Sequence, residues 1–246
     1  DLNPTARMIS KAKIKDYNIE KLKKSVEKYM YQVEEGISEI NDYSNFSCPD
    51  SIEWEDLEKW FPKKTIGEIL FCLSIIEKLP YKSAQLFLKV ALSECFRLVS
   101  YQRNGEFKLY RIKEEDRVDF YEPLFTKLKE RINRNFLGVT NFSEKVDMST
   151  KTKIKDFNTV VTSGRKYFQL PIGSLDLVVT SPPYGDSSTT VAYAQFSWLS
   201  NVLLGLDKNS PSTLDSDLMG GRNKLMKPLA CYRILNYEPI KDAFEK

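Results

Sequence analysis

Apolar residues recur at intervals of three and four as far as about residue 136, the period of helices with one buried side. Leu22, Val26, Tyr29, Met30, Val33 and Ile37 line such a side and predict one long helix from Tyr17 to Glu39. Asn41 to Ser51 is a polar loop, and Asp50 or Ser51 is the expected cap of the element after it. Trp54, Leu57, Trp60 and Phe61 then make a dense aromatic cluster ended by Pro62, read first as core and only second as a base-stacking surface. Ile66, Ile69, Leu70, Leu73, Ile75 and Ile76, followed by Leu86, Val90, Leu92, Phe96 and Val99, predict two antiparallel helices over Thr65 to Leu79 and Ser83 to Ser100, joined through Pro80. Phe120, Leu124, Leu128 and Ile132 predict another from Arg117 to Phe136, with Gly138 as its C-terminal cap. In the intervening stretch Asn104-Gly105 signals a turn, while Phe107, Leu109 and Ile112 do not decide between strand and helix. Ser143 to Asp156 is polar and Lys-rich, as a linker would be.

Beyond Asp156 the pattern changes. Thr159-Val160-Val161-Thr162 and Leu177-Val178-Val179 are β-branched runs that read as buried strands. The second stops at Pro182-Pro183, which cannot donate to a sheet ladder, so a stiff loop follows. Ligands bind at the C-terminal ends of strands in open α/β sheets. Ser181 to Tyr184 would present carbonyls and an aromatic face to a cleft there, a site for a flat, amine-bearing ring.

Composition narrows the chemistry. The 246 residues are 41% hydrophobic, enough for a real core, and 37 Lys+Arg against 34 Asp+Glu leave a net charge of only +3. Any nucleic-acid surface must therefore be a local concentration of basic groups. Histidine is absent, which removes the usual hydrolase triads, histidine bases and most zinc sites. Cys48, Cys72, Cys95 and Cys231 have no metal-ligand spacing and read as core residues or bystanders, so no metal is expected. No run approaches a membrane span and no signal-peptide pattern opens the chain, which points to a cytoplasmic location.

Thr180-Ser181-Pro182-Pro183-Tyr184, preceded by Ser174 to Val179, resembles the catalytic motif of the DNA amino-methyltransferases, which methylate cytosine N4 or adenine N6 with S-adenosylmethionine. A leading Ser is more usual for cytosine N4, and Asp or Asn for adenine N6. The resemblance implies that Ser181, Pro182, Pro183 and Tyr184 are catalytic: the Ser181 side chain and Pro182 carbonyl accept the amine hydrogens, and Tyr184 stacks on a base flipped out of the duplex. The opening segment, Asp1 to Lys13, resembles the family's segment after the second sheet strand, where an acidic residue binds ribose hydroxyls. That implies cofactor contacts at Asp1, Asn3 and Pro4, with Asn3-Pro4 starting a helix. At Ser163 relatives commonly place an acidic residue that reads the cofactor's adenine amine, and a serine is a weaker acceptor. Arg103, Lys108 and Arg111 lie in a segment similar to one between the family's two motifs, and Ser188, Thr189 and Thr190 in one like its catalytic loop. With Arg222 in a basic loop, these are the expected contacts to double-stranded DNA.

What the resemblance implies for fold is an α/β architecture, a partial Rossmann-like methyltransferase sheet with a large helical insertion. Residues 1–15 would end the cofactor-binding half, 16–150 form the insertion, and 151–246 the catalytic half. The ten glycines include no glycine-rich cofactor loop. The chain is thus read as part of a longer frame or of a split enzyme, and the expected partner is a segment or subunit that carries the loop. The function implied is methyl transfer to cytosine N4 in a restriction-modification system. The alternatives are adenine N6 or a catalytically incomplete piece that binds DNA.

Overall fold

The computed structural model describes residues 3–103, 105, 109–147, 149–156, 171, 173–177, 179, 193–207 and 214. Among them seven α-helices pack together: α1 (Pro4–Lys13), α2 (Ile19–Gly36), α3 (Trp54–Glu58), α4 (Lys63–Lys78), α5 (Lys82–Phe96), α6 (Leu124–Lys145) and α7 (Tyr193–Leu203). The centre is the group α2, α4, α5 and α6, with α1 and α7 laid against α5. In α4, Ile66, Ile69, Leu70, Cys72, Leu73, Ile75 and Ile76 are all buried, so the helix is covered on nearly every side. Across the α5–α6 contact, Leu88 and Leu92 meet the cluster that holds Leu124, Leu128 and Ile132. Each such side chain contributes about 1.5–3 kcal/mol by leaving water. A smaller cluster of Met8, Ala12 and Val90 fastens α1 to α5.

Several expectations hold and several shift. Asn3 caps α1, with Pro4 in its first turn. α2 buries Leu22, Val26, Tyr29 and Val33 as the spacing predicts, but it runs only from Ile19 to Gly36 before a 3-10 turn over Ile37–Glu39. The aromatic cluster is core: Leu57 and Phe61 are fully covered, and Trp54 stacks on Tyr43 with centroids 4.1 Å apart. Neither Asp50 nor Ser51 caps α3, whose N-cap is Glu53. The Ser51 hydroxyl donates instead to the Val202 carbonyl at 2.9 Å, a partner 151 residues away.

The helix expected over 117–136 is displaced. It begins after Pro123 and continues through Gly138 to Lys145, so the expected linker starts later than Ser143. Phe120, one turn too early, packs edge-on against Tyr101. A glycine cap needs a left-handed backbone, and Gly138 is not among the residues of positive φ. Tyr101 to Ile112, left open by sequence, folds back as an antiparallel pair with a bridge between Gln102 and Arg111, and Gly105 turns with φ +89°. Leu177 and Val179, read as a buried strand, are 77% and 86% exposed, and no ladder strand occurs among the described residues. A lone strand has nothing to bury against. Its expected neighbour, Thr159 to Thr162, lies outside the described residues.

Candidate functional site

The two helices that follow the motif segments meet each other. Asn3 suits an N-cap because its short side chain reaches the first free amides of α1, and its Oδ1 accepts from Thr5 N at 3.1 Å and Ala6 N at 3.5 Å. That leaves Nδ2 to donate to Ser197 Oγ on α7 at 2.8 Å. One turn further along α7, Asn201 Oδ1 accepts from Thr5 Oγ1 at 2.6 Å and from Thr5 N at 3.1 Å. Ser200 Oγ donates to the Ser93 carbonyl on α5 at 3.4 Å. All of these side chains are buried, so the network is both satisfied and shielded from water. It joins positions 194 and 196 residues apart. The N-terminal turn of α1 and the middle of α7 are thereby brought to one place.

The 101–112 turn is docked on the same helix. Arg103 N donates to Tyr110 O and Ile112 N to Tyr101 O, closing the two arms, while Leu109 N donates to Gln195 Oε1 of α7 at 3.2 Å. Gln102 is buried and accepts from Arg97 Nε at 3.1 Å; the Arg97 guanidinium in turn lies over the Phe196 ring, 3.7 Å from its centroid. Arg111 spreads over Trp60 at 5.6 Å, and Trp60 meets Trp198 of α7 edge-on at 5.7 Å. Arg117 donates twice to the Ile112 carbonyl, at 3.0 and 2.7 Å. The outcome is a braced turn that presents Arg103, Tyr110 and Arg111 at the surface beside the helix that follows the motif.

Of the residues expected to act, Asn3, Pro4, Arg103 and Arg111 are described. Asp1, Ser163, Ser181, Pro182, Pro183, Tyr184, Lys108, Ser188, Thr189, Thr190 and Arg222 lie outside the described residues. Thr5, Ser197, Asn201, Gln195 and Arg97, which do the positioning, were not singled out by sequence. The signal for two of them was present: Ser197 and Asn201, with Ser200 beside them, interrupt one side of an otherwise apolar helix at helical spacing.

Other titratable groups are structural. Burial pushes the Cys72 and Cys95 thiols up to about 12, which removes them as nucleophiles. No cluster among the described residues has the ligands to hold a metal. No described helix is long and apolar enough to cross a membrane. An apolar cavity of about 740 Å³ lies between α1, α5 and α6, bordered by Phe87, Val139 and Phe142, with Arg134 and Glu94 paired at its edge. It is lined by none of the expected site residues.

No protein-family model and no solved structure matches the chain. Among curated proteins, it is similar to the Type II methyltransferase M.MvaI of Kocuria varians, 32% identical over 230 residues, which takes in 90% of this chain and 49% of that protein. The chain thus spans about half the length of the curated relative it matches.

Proposed function

We propose that this chain carries the catalytic motif and a helical insertion of an S-adenosylmethionine-dependent DNA methyltransferase, acting on cytosine N4 within a restriction-modification system. The observation that carries this reading is Thr180-Ser181-Pro182-Pro183-Tyr184 in a chain 32% identical, over 90% of its length, to a protein named as a Type II methyltransferase. The fold proposed around it is a Rossmann-like sheet interrupted by residues 16–150. Ile14, Lys15 and Asp16 line one cleft with Thr152 to Lys155, and this supports an insertion, because the chain enters and leaves residues 16–150 at neighbouring points.

The Asn3 side chain is taken up by Thr5, Ala6 and Ser197. Its part in holding the cofactor is therefore to fix the start of α1, two residues after Asp1. A carboxylate at such a helix entry fits ribose hydroxyls, and Ser163 would accept from the adenine amine. Bound there, S-adenosylmethionine supplies an electrophilic methyl on a sulfonium. The chain's own residues prepare the nucleophile. The Ser181 hydroxyl oxygen and the Pro182 carbonyl accept the two N–H bonds of the cytosine amine, which draws the nitrogen lone pair out of conjugation with the ring. Tyr184 stacks on the flipped base and holds it, and stacking of this kind contributes about 1–3 kcal/mol per base.

The full-length enzyme, given labelled S-adenosylmethionine and duplex DNA that is then digested to nucleosides, should yield N4-methylcytosine. N6-methyladenine alone would move the assignment to the other base, and label in RNA but not DNA would overturn the substrate class. Ser181→Ala should slow transfer about a hundredfold, because the acceptor acts on charge that develops during reaction. Duplex affinity, dominated by phosphate contacts, should stay within about twofold.

A further inference from the structure

A cleft of about 570 Å³, lined by neither Arg103 nor Arg111, lies where the end of α1, the start of α5 and the segment 152–155 converge. Five lysines line it: Lys11, Lys15, Lys82, Lys153 and Lys155, against a single carboxylate, Asp16. Among the described residues no carboxylate forms an ion pair with Lys11, Lys15, Lys82 or Lys153, although lysines elsewhere on the molecule, such as Lys59, Lys89 and Lys127, do have such partners. The four side chains are exposed. Gathering ammonium groups from three separate segments raises mutual repulsion that an even scatter of charge would avoid, in a chain whose net charge is only +3. Ser83 and Thr152 add neutral hydroxyl donors to the same cleft. Ammonium groups and hydroxyls together are the donor set used on phosphodiester oxygens.

We propose that this lysine-lined cleft is a second, sequence-independent seat for the phosphate backbone of duplex DNA, a site that rests on the DNA reading above. Its place fits an auxiliary contact. The ten residues of α1 rise about 15 Å from Asn3, so the cleft sits several base-pair steps from the α1–α7 junction. It adds counterion release to affinity and contributes nothing to base choice.

The test is a salt titration of binding by this chain, read by fluorescence anisotropy on duplexes of about 12 and about 30 base pairs. The variant combines Lys11→Gln, Lys15→Gln, Lys82→Gln and Lys153→Gln. A control of equal charge combines Lys23→Gln, Lys24→Gln, Lys28→Gln and Lys129→Gln on exposed faces of α2 and α6. A third variant carries Arg at the four cleft positions. The cleft variant should lose about three from the slope of log K against log salt on the longer duplex, and bind it at least about tenfold more weakly. The Arg variant should keep both, and the control should lose much less. Equal losses in cleft variant and control would overturn the proposal, since bulk charge would then account for the effect. So would wild-type chain that ignores duplex DNA but binds poly-glutamate at the same salt. Methyl transfer is scored separately on the full-length enzyme, so a cleft that responds while that enzyme shows no transfer would sink the reaction assignment and leave the cleft standing.

Discussion

Asn201 is 2% exposed, and one oxygen of its amide satisfies both the hydroxyl and the amide of Thr5. Asn201→Ala leaves a buried hydroxyl without its acceptor, so unfolding in denaturant should show a loss of about 2 kcal/mol. A loss below about 0.5 kcal/mol would mean that water or a shifted α7 takes over the contact. Glu68 is another buried polar residue with a different consequence. One carboxylate oxygen accepts from the Tyr121 hydroxyl at 2.7 Å, while the other has no partner. Burial raises its pKa above the ordinary glutamate value, and the Tyr121 hydrogen bond and the Lys64 charge only partly oppose this. A carboxyl with a raised folded pKa favours the folded state in its protonated form. Its contribution is complete below the unfolded pKa and is lost as pH rises through the raised value. Stability should therefore fall across the mildly acidic range in wild type, and Glu68→Gln, which can still accept from Tyr121, should remove that part of the slope. A pH profile unchanged by the substitution would show that the carboxyl is hydrated in solution.

Two glycines inside helices have opposite surroundings. A Cβ on Gly67 of α4 would lie 2.1 Å from the Asp42 carbonyl oxygen and 2.6 Å from its carbon, so backbone rather than a yielding side chain blocks it. Gly67→Ala must push α4 away from the 40–43 loop, with an expected loss of about 3 kcal/mol. Gly138 in α6 has nothing within 4 Å of such a Cβ. Gly138→Ala should raise stability by about 0.5–1 kcal/mol, because it removes the backbone entropy of glycine from a helix. Paired thermal melts read both directions at once. A destabilising Gly138→Ala would mean that the neighbouring cavity wall must remain free of a methyl group.

Across the molecule, what sequence made legible was what depends on near neighbours. The Asn3-Pro4 start of α1 and the buried face of α2 follow from capping and helical spacing, and both are present. Ser51 departs from its expected cap because a carbonyl 151 residues away competes for its hydroxyl. Phe120 fits the periodicity of α6 yet lies before Pro123, where a ring on Tyr101 receives it. The candidate site divides the same way: its motif is a local string, whereas Thr5, Gln195 and Asn201 acquire their roles only when distant segments meet. That separation also orders events during synthesis. Asn201 is added 196 residues after Thr5, an interval of about 10–40 s at ribosomal speed. The oily side of α1, Met8 and Ala12, is covered by Val90 of α5 long before that. What waits for α7 is the side bearing Asn3 and Thr5, groups that water can serve in the meantime. The nascent chain thus hides its adhesive surface early and leaves a wettable seam to close last.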